Sequence, residues 1–364
     1  MKVKLLRLLM IVVSIVLLAA PLVGSAVGPV ADTAAQAGNG DNISSATALG
    51  WRPASRPWTR EEMLAAKPYP LPEREGGPLL EALLSETEPA GEPGLIPGGA
   101  PLDAAGITVH ASEGEEVFSV VIPLGYTYPA PFTRYNNFSA YTVFPYKTVG
   151  KLFFTQYGVN YVCSAASIGN YAIWTAGHCV HKGNGLYSGW SYNVVFVPAY
   201  KNGSAPYGQW TEYNLWTKTA WYNSGDLAND MGGAILHTNT AGQKISQVVG
   251  WLGFAYNQSR VQHWFDIGYP AASPFTGGLQ VICAASHAYN DYSETPATVG
   301  IGCDMTGGCS GGPWILKFSG GAGATNYLNG ENSYRYDNHP KELFSPYFDN
   351  RAKSLWDALQ ADHP

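Results

Sequence analysis

Three separated motifs carry side chains that together can perform nucleophilic acyl transfer. Ser310 lies in residues 308–313, Gly-Cys-Ser-Gly-Gly-Pro, and His178 lies in residues 175–179, Thr-Ala-Gly-His-Cys. Asp230 lies between them in the chain and precedes an apolar run. A serine hydroxyl becomes a strong nucleophile when an imidazole takes its proton, and a buried carboxylate sets the tautomer of that imidazole. The pattern predicts Ser310 as nucleophile, His178 as general acid and base, and Asp230 as the orienting acid.

The glycines around Ser310 indicate where the negative oxygen of a tetrahedral intermediate would be held. Backbone N–H groups supply the donors for such an oxygen, and glycine allows backbone angles that a Cβ atom forbids. We expect the N–H groups of Gly308 and Ser310 to form this oxyanion hole. The chemistry requires neither a metal nor an organic cofactor, so we expect none.

These motifs resemble those of the trypsin/chymotrypsin-like serine peptidases, and most closely their bacterial branch of V8-type glutamyl endopeptidases. The resemblance extends from about residue 133 to the end of the chain. It implies an all-β fold of two six-stranded antiparallel β-barrels with the catalytic residues in the cleft between them. It also implies endopeptidase activity on a polypeptide substrate through an acyl-enzyme intermediate, and a C-terminal α-helix. We expect the protein to be a monomer.

Short β-prone runs separated by Gly, Asn and Pro agree with an all-β fold. Strands are predicted at residues 149–154, 160–166, 171–174, 193–197 and 247–252. Residues 348–361 predict a final helix, with Leu355 and Leu359 on its buried face.

The N-terminal part of the chain has two compositions that differ from the rest. Basic residues precede an apolar run at 8–20, and Gly24, Ser25 and Ala26 offer small residues for cleavage, which is the layout of a secretory signal peptide. We therefore divide the chain into a signal peptide at 1–26, a propeptide or linker at 27–127 and a peptidase domain at 128–364. The mature protein is expected to be secreted and to have no membrane association after signal removal.

Residues 27–127 are rich in Ala, Pro, Gly and Glu, and frequent prolines prevent long helices. Short helices are predicted at 60–66 and 78–84, and the remainder is expected to be largely irregular. A disordered linker is one interpretation. The other is a propeptide that covers the cleft and acts as the enzyme's own inhibitor until it is cleaved.

The five cysteines fit an oxidising compartment. The resemblance implies a disulfide between Cys163 and Cys179, and it favours Cys283–Cys303, which leaves Cys309 unpaired. Related zymogens bury a new N-terminal ammonium against an aspartate directly before the nucleophile. Cys309 occupies that position here, so we expect removal of residues up to about 120–135 to open the cleft without such a switch.

Two neighbouring residues offer competing assignments. His178 could bind a metal together with His181, but ligand-type residues so close in sequence and without a distant partner set are weak support for zinc. No metal site is expected. Asp226 competes with Asp230 as the acid, and we interpret it as a turn cap.

The sequence offers two competing sets of residues that could set substrate specificity. Asp304 lies six residues before Ser310, the offset at which trypsin-like enzymes place the acid that binds Lys or Arg. Glutamyl enzymes instead bind an acidic side chain through histidine and hydroxyl groups, for which Thr306, Ser333 and His339 are candidates. The resemblance leaves both preferences open. Residues 332–334 are expected to form the edge that pairs with the substrate backbone.

Composition narrows the function classes further. The net charge is −6, and no basic stripe suggests nucleic acid binding. The 11 Trp and 23 Tyr would also suit a binding module that keeps the fold without catalysis, since aromatic residues dominate recognition surfaces. The intact set of catalytic residue types favours the serine endopeptidase over this inactive pseudoprotease.

Overall fold

The computed structural model describes residues 40–45, 54–80, 91–101, 128–319 and 326–364 of the 364-residue chain. The predicted signal peptide at 1–26 and the predicted domain boundary at 127 lie outside these ranges. Within them, no helix has the length and apolar composition needed to cross a membrane.

The described residues form mainly β-strands with a few short helices. In chain order the strands are β1 Asn42–Ser44, β2 Lys67–Pro68, β3 Glu73–Arg74, β4 Gly94–Ile96, β5 Phe132–Asn136, β6 Val149–Gln156, β7 Val159–Ser167, β8 Ala172–Ala176, β9 Tyr192–Pro198, β10 Trp210–Lys218, β11 Met231–Leu236, β12 Gly253–Tyr256, β13 His263–Gly268, β14 Val281–Asp291, β15 Thr298–Gly302, β16 Pro313–Leu316, β17 Tyr327–Glu331, β18 Arg335–Tyr336 and β19 Glu342–Ser345. The helices are α1 Arg60–Ala65, α2 Gly177–Val180, α3 Thr219–Ser224, α4 Ile245–Val249 and α5 Asn350–Ala361.

The first sheet closes into a six-stranded antiparallel barrel. Its order is β10, β11, β8, β7, β6 and β9, and β9 pairs again with β10. Successive side chains of β6 point to opposite faces of the sheet and so contribute to two apolar clusters. Leu152 and Phe154 belong to the cluster inside this barrel, whereas Phe153 belongs to a second cluster. That second cluster also contains Ile267 and Ile315 from the other sheet, so it holds the two sheets together.

The second sheet has the order β19, β15, β14, β13, β16, β17, β12 and β4, with β5 paired to β14. A bridge between Tyr334 and Phe344 brings the chain that follows β17 back against β19. Trp264 and Trp314 lie in its apolar core. The all-β fold expected from the resemblance is confirmed, as is the C-terminal helix, in which Leu355 and Leu359 are buried.

One local prediction needs correction. Residues 247–252 are not a strand, because 245–249 form α4, which ends at Gly250 with φ of 80°. The described part of 27–127 is largely irregular, as predicted, and the helix predicted at 78–84 extends beyond the described residues. The described part contains α1, begun by a capping box between Thr59 and Glu62, and it adds β1 to β10, β2 to β7, β3 to β18 and β4 to β12.

Candidate active site

Two neighbouring strands of the first barrel place His178 beside Asp230. β8 runs directly into α2, which carries His178, and Asp230 immediately precedes β11. Because β8 and β11 pair in register with Met231 opposite Ala176, the two side chains meet at the same end of the sheet. The His178 ring Nδ1 lies 2.7 Å from Asp230 Oδ2, and the backbone N–H of His178 donates to Asp230 Oδ1 at 2.7 Å.

The Asp230 carboxylate is fully buried and receives several hydrogen bonds. Ser333 Oγ donates to Oδ2 at 2.6 Å, in addition to the bonds from His178. Gly177 permits this packing, since a Cβ there would lie 2.9 Å from Asp230 Oδ1. With Asp230 accepting the proton of Nδ1, Nε2 of His178 is the nitrogen left to act as a base.

The loop that carries Ser310 is pressed against the turn that carries His178. Gly311 has φ of 74°, and a Cβ there would lie 2.1 Å from Thr175 Oγ1. The backbone N–H of Ser164 donates to the carbonyl of Ser310 at 2.8 Å. Ser310 Oγ and His178 Nε2 are both buried and have no hydrogen-bond partner among the described residues.

Gly308 already holds a carbonyl oxygen in the position expected for an oxyanion hole. Its φ is 98°, and its N–H donates to the carbonyl of Tyr69 at 3.0 Å.

The disulfides are the two pairs that the resemblance implied. Cys163–Cys179 joins β7 to α2 beside His178, and Cys283–Cys303 joins β14 to the segment before Asp304. Cys309 is unpaired and buried, and burial raises the pKa of its thiol well above the usual range. The thiol therefore stays protonated and unreactive at neutral pH.

Each candidate specificity residue has a partner within the protein. Asp304 Oδ2 lies 2.7 Å from the guanidinium of Arg134, so its charge is already paired. The hydroxyl of Thr306 donates to the carbonyl of Ala272 at 2.7 Å, and that of Ser333 serves Asp230.

His339 and the expected substrate-binding edge also have partners within the protein. His339 Nδ1 lies 2.9 Å from Glu342 Oε2. The N–H groups of residues 332–334 bond within the second sheet, to the carbonyls of Gly312 and Phe344. The N–H groups of Arg335 and Asp337 donate to the carbonyls of Pro72 and Arg74, at 3.1 and 3.0 Å.

The competing assignments around the site have ordinary structural roles. Asp226 caps a turn by accepting from Ala228 N–H at 3.0 Å. His181 is buried, its Nε2 donates to the carbonyl of Leu186 at 2.8 Å, and its Nδ1 accepts from Gly183 N–H at 3.0 Å. Burial lowers the pKa of His181 to about 4, so the ring is neutral.

Ligand-type side chains cluster in two places within the described ranges. These groups are Cys163 with His178 and Cys179, and Asp266 with Cys283 and Cys303. Each contains both cysteines of a disulfide, whose sulfur atoms do not act as thiolate ligands.

Sequence reasoning missed two buried acids near the site. Glu331 is fully buried, and burial together with the nearby charge of Asp230 raises the pKa of its carboxyl well above the usual range. Asp266 is equally buried and accepts from Asn332 Nδ2 at 2.8 Å, and burial likewise raises its pKa. Neither lies in a recognisable motif, so no local signal pointed to them.

Among known proteins, the similar ones are solved structures of proteases. No family model matches the chain, and no curated protein does. The structure of protease Anisep from Arthrobacter nicotinovorans is 37% identical, with a TM-score of 0.57, over 63% of this chain and 100% of that one. A thermostable serine protease, AL20, from an extremophilic microorganism is 37% identical, with a TM-score of 0.54, over 59% of this chain and 98% of that one.

A Glu endopeptidase shares the fold at 18% identity, with a TM-score of 0.50, over 63% of this chain and 97% of that one. The match to the two closer proteases spans all or nearly all of their length, and the paired His178 and Asp230 lie beside the Ser310 loop at the junction of two β-sheets. The chain belongs to the trypsin/chymotrypsin-like serine proteases.

Proposed function

We propose that this chain is the precursor of a secreted serine endopeptidase that cleaves polypeptides with Ser310, His178 and Asp230. The observation that carries the proposal is the 2.7 Å contact between His178 Nδ1 and Asp230 Oδ2, which leaves Nε2 as the basic nitrogen. The match of the chain to protease Anisep and to the serine protease AL20, each at 37% identity, supports the same reaction class.

The mechanism follows from the roles of these groups. Ser310 Oγ attacks the carbonyl carbon of a peptide bond while His178 Nε2 takes its proton, and the backbone N–H groups of Gly308 and Ser310 hold the resulting oxyanion. His178 then gives that proton to the leaving amine, and an acyl-enzyme remains on Ser310. Water repeats the sequence and releases the acid product, while Asp230 keeps the imidazole in the required tautomer and stabilises its charged form.

The domain division is part of the same proposal. The solved proteases match only 63% and 59% of this chain, which leaves room for a leader of 1–26 and a propeptide of 27–127 before the peptidase domain at 128–364. Two disulfides suit an exported protein, and the propeptide is proposed as the enzyme's own inhibitor.

A fluorophosphonate probe tests the proposal, because it bonds to a serine only when that serine is activated as a nucleophile. We expect labelling of Ser310 in processed protein and none in Ser310→Ala. A peptide-library digest of the same two samples should show cuts that depend on Ser310. Folded, processed protein that neither reacts nor cleaves would instead support the inactive binding module.

A further inference from the structure

Residues 67–74, Lys-Pro-Tyr-Pro-Leu-Pro-Glu-Arg, cross from the first sheet to the second over the catalytic groups, and we call this segment the strap. Its first residues pair in parallel with β7, where Tyr69 N–H donates to the carbonyl of Val162 at 3.0 Å. Its last residues pair in parallel with β18, where Arg335 N–H donates to the carbonyl of Pro72 at 3.1 Å.

One residue of the strap, Tyr69, contacts both the Gly308 N–H proposed for the oxyanion hole and the ring of His178. The carbonyl of Tyr69 accepts the N–H of Gly308 at 3.0 Å, in the place where a substrate's oxyanion would form. Its ring stacks on the His178 ring with 5.6 Å between centroids and 20° between planes. The Tyr69 hydroxyl donates to Gln156 Oε1 at 2.6 Å, which fixes the ring in place.

The next inward-facing side chain fills apolar space beside the nucleophile loop. Leu71 is 5% exposed and belongs to the same apolar cluster as Met305 and Cys309. The prolines at 68, 70 and 72 alternate with Tyr69 and Leu71 and are less buried. Proline has no N–H group, so the strap binds mainly through carbonyl oxygens and through its two inward side chains.

Both ends of the strap are anchored. Before it, Trp58 is buried, and its backbone N–H and carbonyl bond to the side chain of Gln209, each at 2.7 Å. At its far end Arg74 pairs with Glu294, and Glu73 pairs with Arg335. Because one anchor lies on each sheet, the strap is held across the cleft.

The chain direction of the strap opposes cleavage. The carbonyl in the oxyanion hole belongs to Tyr69, so the leaving nitrogen would be that of Pro70. His178 must protonate this nitrogen, but its ring is covered by Tyr69, on the acyl side of the bond. The leaving-group side runs away towards Arg335. The strap thus runs parallel to both β7 and β18, with the Tyr69 ring, on the acyl side of the bond, stacked on the base.

We propose, on the basis of the proposed peptidase function, that the substrate cleft is a binding site for a second class of peptide: an extended chain with alternating prolines and inward aromatic and leucine side chains. Such a peptide binds in the direction opposite to a productive substrate and is not cut. The strap is its built-in example, and it keeps Ser310 inaccessible until a cut elsewhere in the chain lets it dissociate.

The rate at which a fluorophosphonate labels Ser310 in the intact full-length chain tests this proposal. Arg74→Glu places a negative charge against Glu294, and Glu294→Arg places a positive charge against Arg74. Each should raise the labelling rate about tenfold or more, because like charges in contact are strongly repulsive. The double variant restores an opposite pair and should return the rate towards that of the parent. Lys353→Glu on α5, which breaks a Lys353–Asp357 pair of ordinary surface type, is the control and should leave the rate unchanged.

Two further measurements keep the outcomes distinct. Tyr69→Ala should accelerate labelling without any change of charge, and a synthetic peptide of residues 54–80 should slow labelling of the processed enzyme and be recovered uncut by mass spectrometry. Equal labelling rates in the parent and all strap variants, or a cut at Tyr69–Pro70, would overturn the strap proposal and leave the peptidase function standing. Absence of labelling in every form, processed protein included, would instead refute the peptidase function.

Discussion

The two sides of the cleft are built by different means. On the first barrel, His178 and Asp230 are 2% and 0% exposed and lie at the ends of two paired strands, tied by hydrogen bonds and by an adjoining disulfide. On the second sheet, Ser310 and Gly308 lie in a loop whose shape depends on glycines with positive φ. In the proposed mechanism the first side thus holds the proton-transfer groups in one geometry, while the second supplies the nucleophile and the backbone donors. Changes on the first side should alter the rate of chemistry, and changes on the second side outside the Ser310 loop should alter what is bound.

The largest effect is expected from Asp230→Asn. An amide in this position can donate to His178 Nδ1 and so favours the wrong tautomer, which should lower kcat of the processed enzyme by about 10⁴-fold. Steady-state kinetics measure the loss. Asp226→Asn is the matched control, since Asp226 bonds within the turn, where it accepts from Ala228 N–H and Asn229 Nδ2, and its kcat should stay within about twofold of the parent. A loss smaller than tenfold in Asp230→Asn would remove Asp230 from its assigned role.

Each side of the cleft carries one disulfide, so the two disulfides test directly whether the two sides have different roles. They close loops of similar sequence separation, 16 and 20 residues, so replacing either pair with serines should lower the free energy of unfolding by about 3 kcal/mol in the chain-entropy account. Urea unfolding measures this loss.

Their effects on catalysis should differ. Loss of Cys163–Cys179 frees the helix turn that carries His178 and should lower kcat, whereas loss of Cys283–Cys303 should act mainly on KM. The same fall in kcat for both pairs would show that the two sides of the cleft are not functionally separate.

A smaller effect is expected from His181, which lies three residues after His178. Its pKa falls from 6.5 to about 4 on folding because the ring is buried against Tyr222. The unfolded chain therefore binds a proton between pH 6.5 and 4 that the folded chain does not, and stability decreases as the pH falls through this window. The limit of this loss is about 3 kcal/mol. Urea unfolding of the parent and His181→Gln across this range should show a shallower decline in the variant, and parallel curves would contradict the assignment.

The smallest effect is expected from Arg134→Gln on the second side. Arg134 neutralises Asp304 across a 2.7 Å contact, and both side chains are partly exposed, at 39% and 26%. Removing the guanidinium leaves a carboxylate without its cation, which should raise cleavage after Lys or Arg relative to other residues by a few-fold, as for an exposed pair. A peptide-library digest measures the change. An unchanged profile would show that Asp304 does not face the substrate.

Sequence reasoning was more informative about the short catalytic motifs than about the residues expected to set specificity. The assignment of His178 and Ser310 rests on short motifs in which all the informative residues are neighbours, and such motifs can be read without a fold. The disulfide pairs were accessible through the resemblance. Arg134, in contrast, meets Asp304 from 170 residues away, and the register of β5 on β14 that brings it there is not visible locally.

Pairing between residues distant in sequence also explains why the strands before residue 128 were not predicted. Their composition is typical of irregular chain, and β2, β3 and β4 each form by pairing with strands distant in sequence. Residues 245–249 show the opposite failure. Their valines favour a strand, but the chain turns into α4 and ends it at Gly250. The intrinsic preference of the residues for helix or strand determined neither β2–β4 nor α4, because tertiary packing supplied the larger free energy.

The strands β1 and β4 occupy edges of the two large sheets, at β10 and β12. Release of the residues before 128 would expose unpaired N–H and C=O groups along β10 and β12 at the moment when the enzyme becomes active. Open strand edges are templates for pairing with another chain. Removal of these residues would thus open the cleft and at the same time uncover strand edges through which two copies could pair. Self-association would therefore increase with the protein concentration at which the precursor is processed.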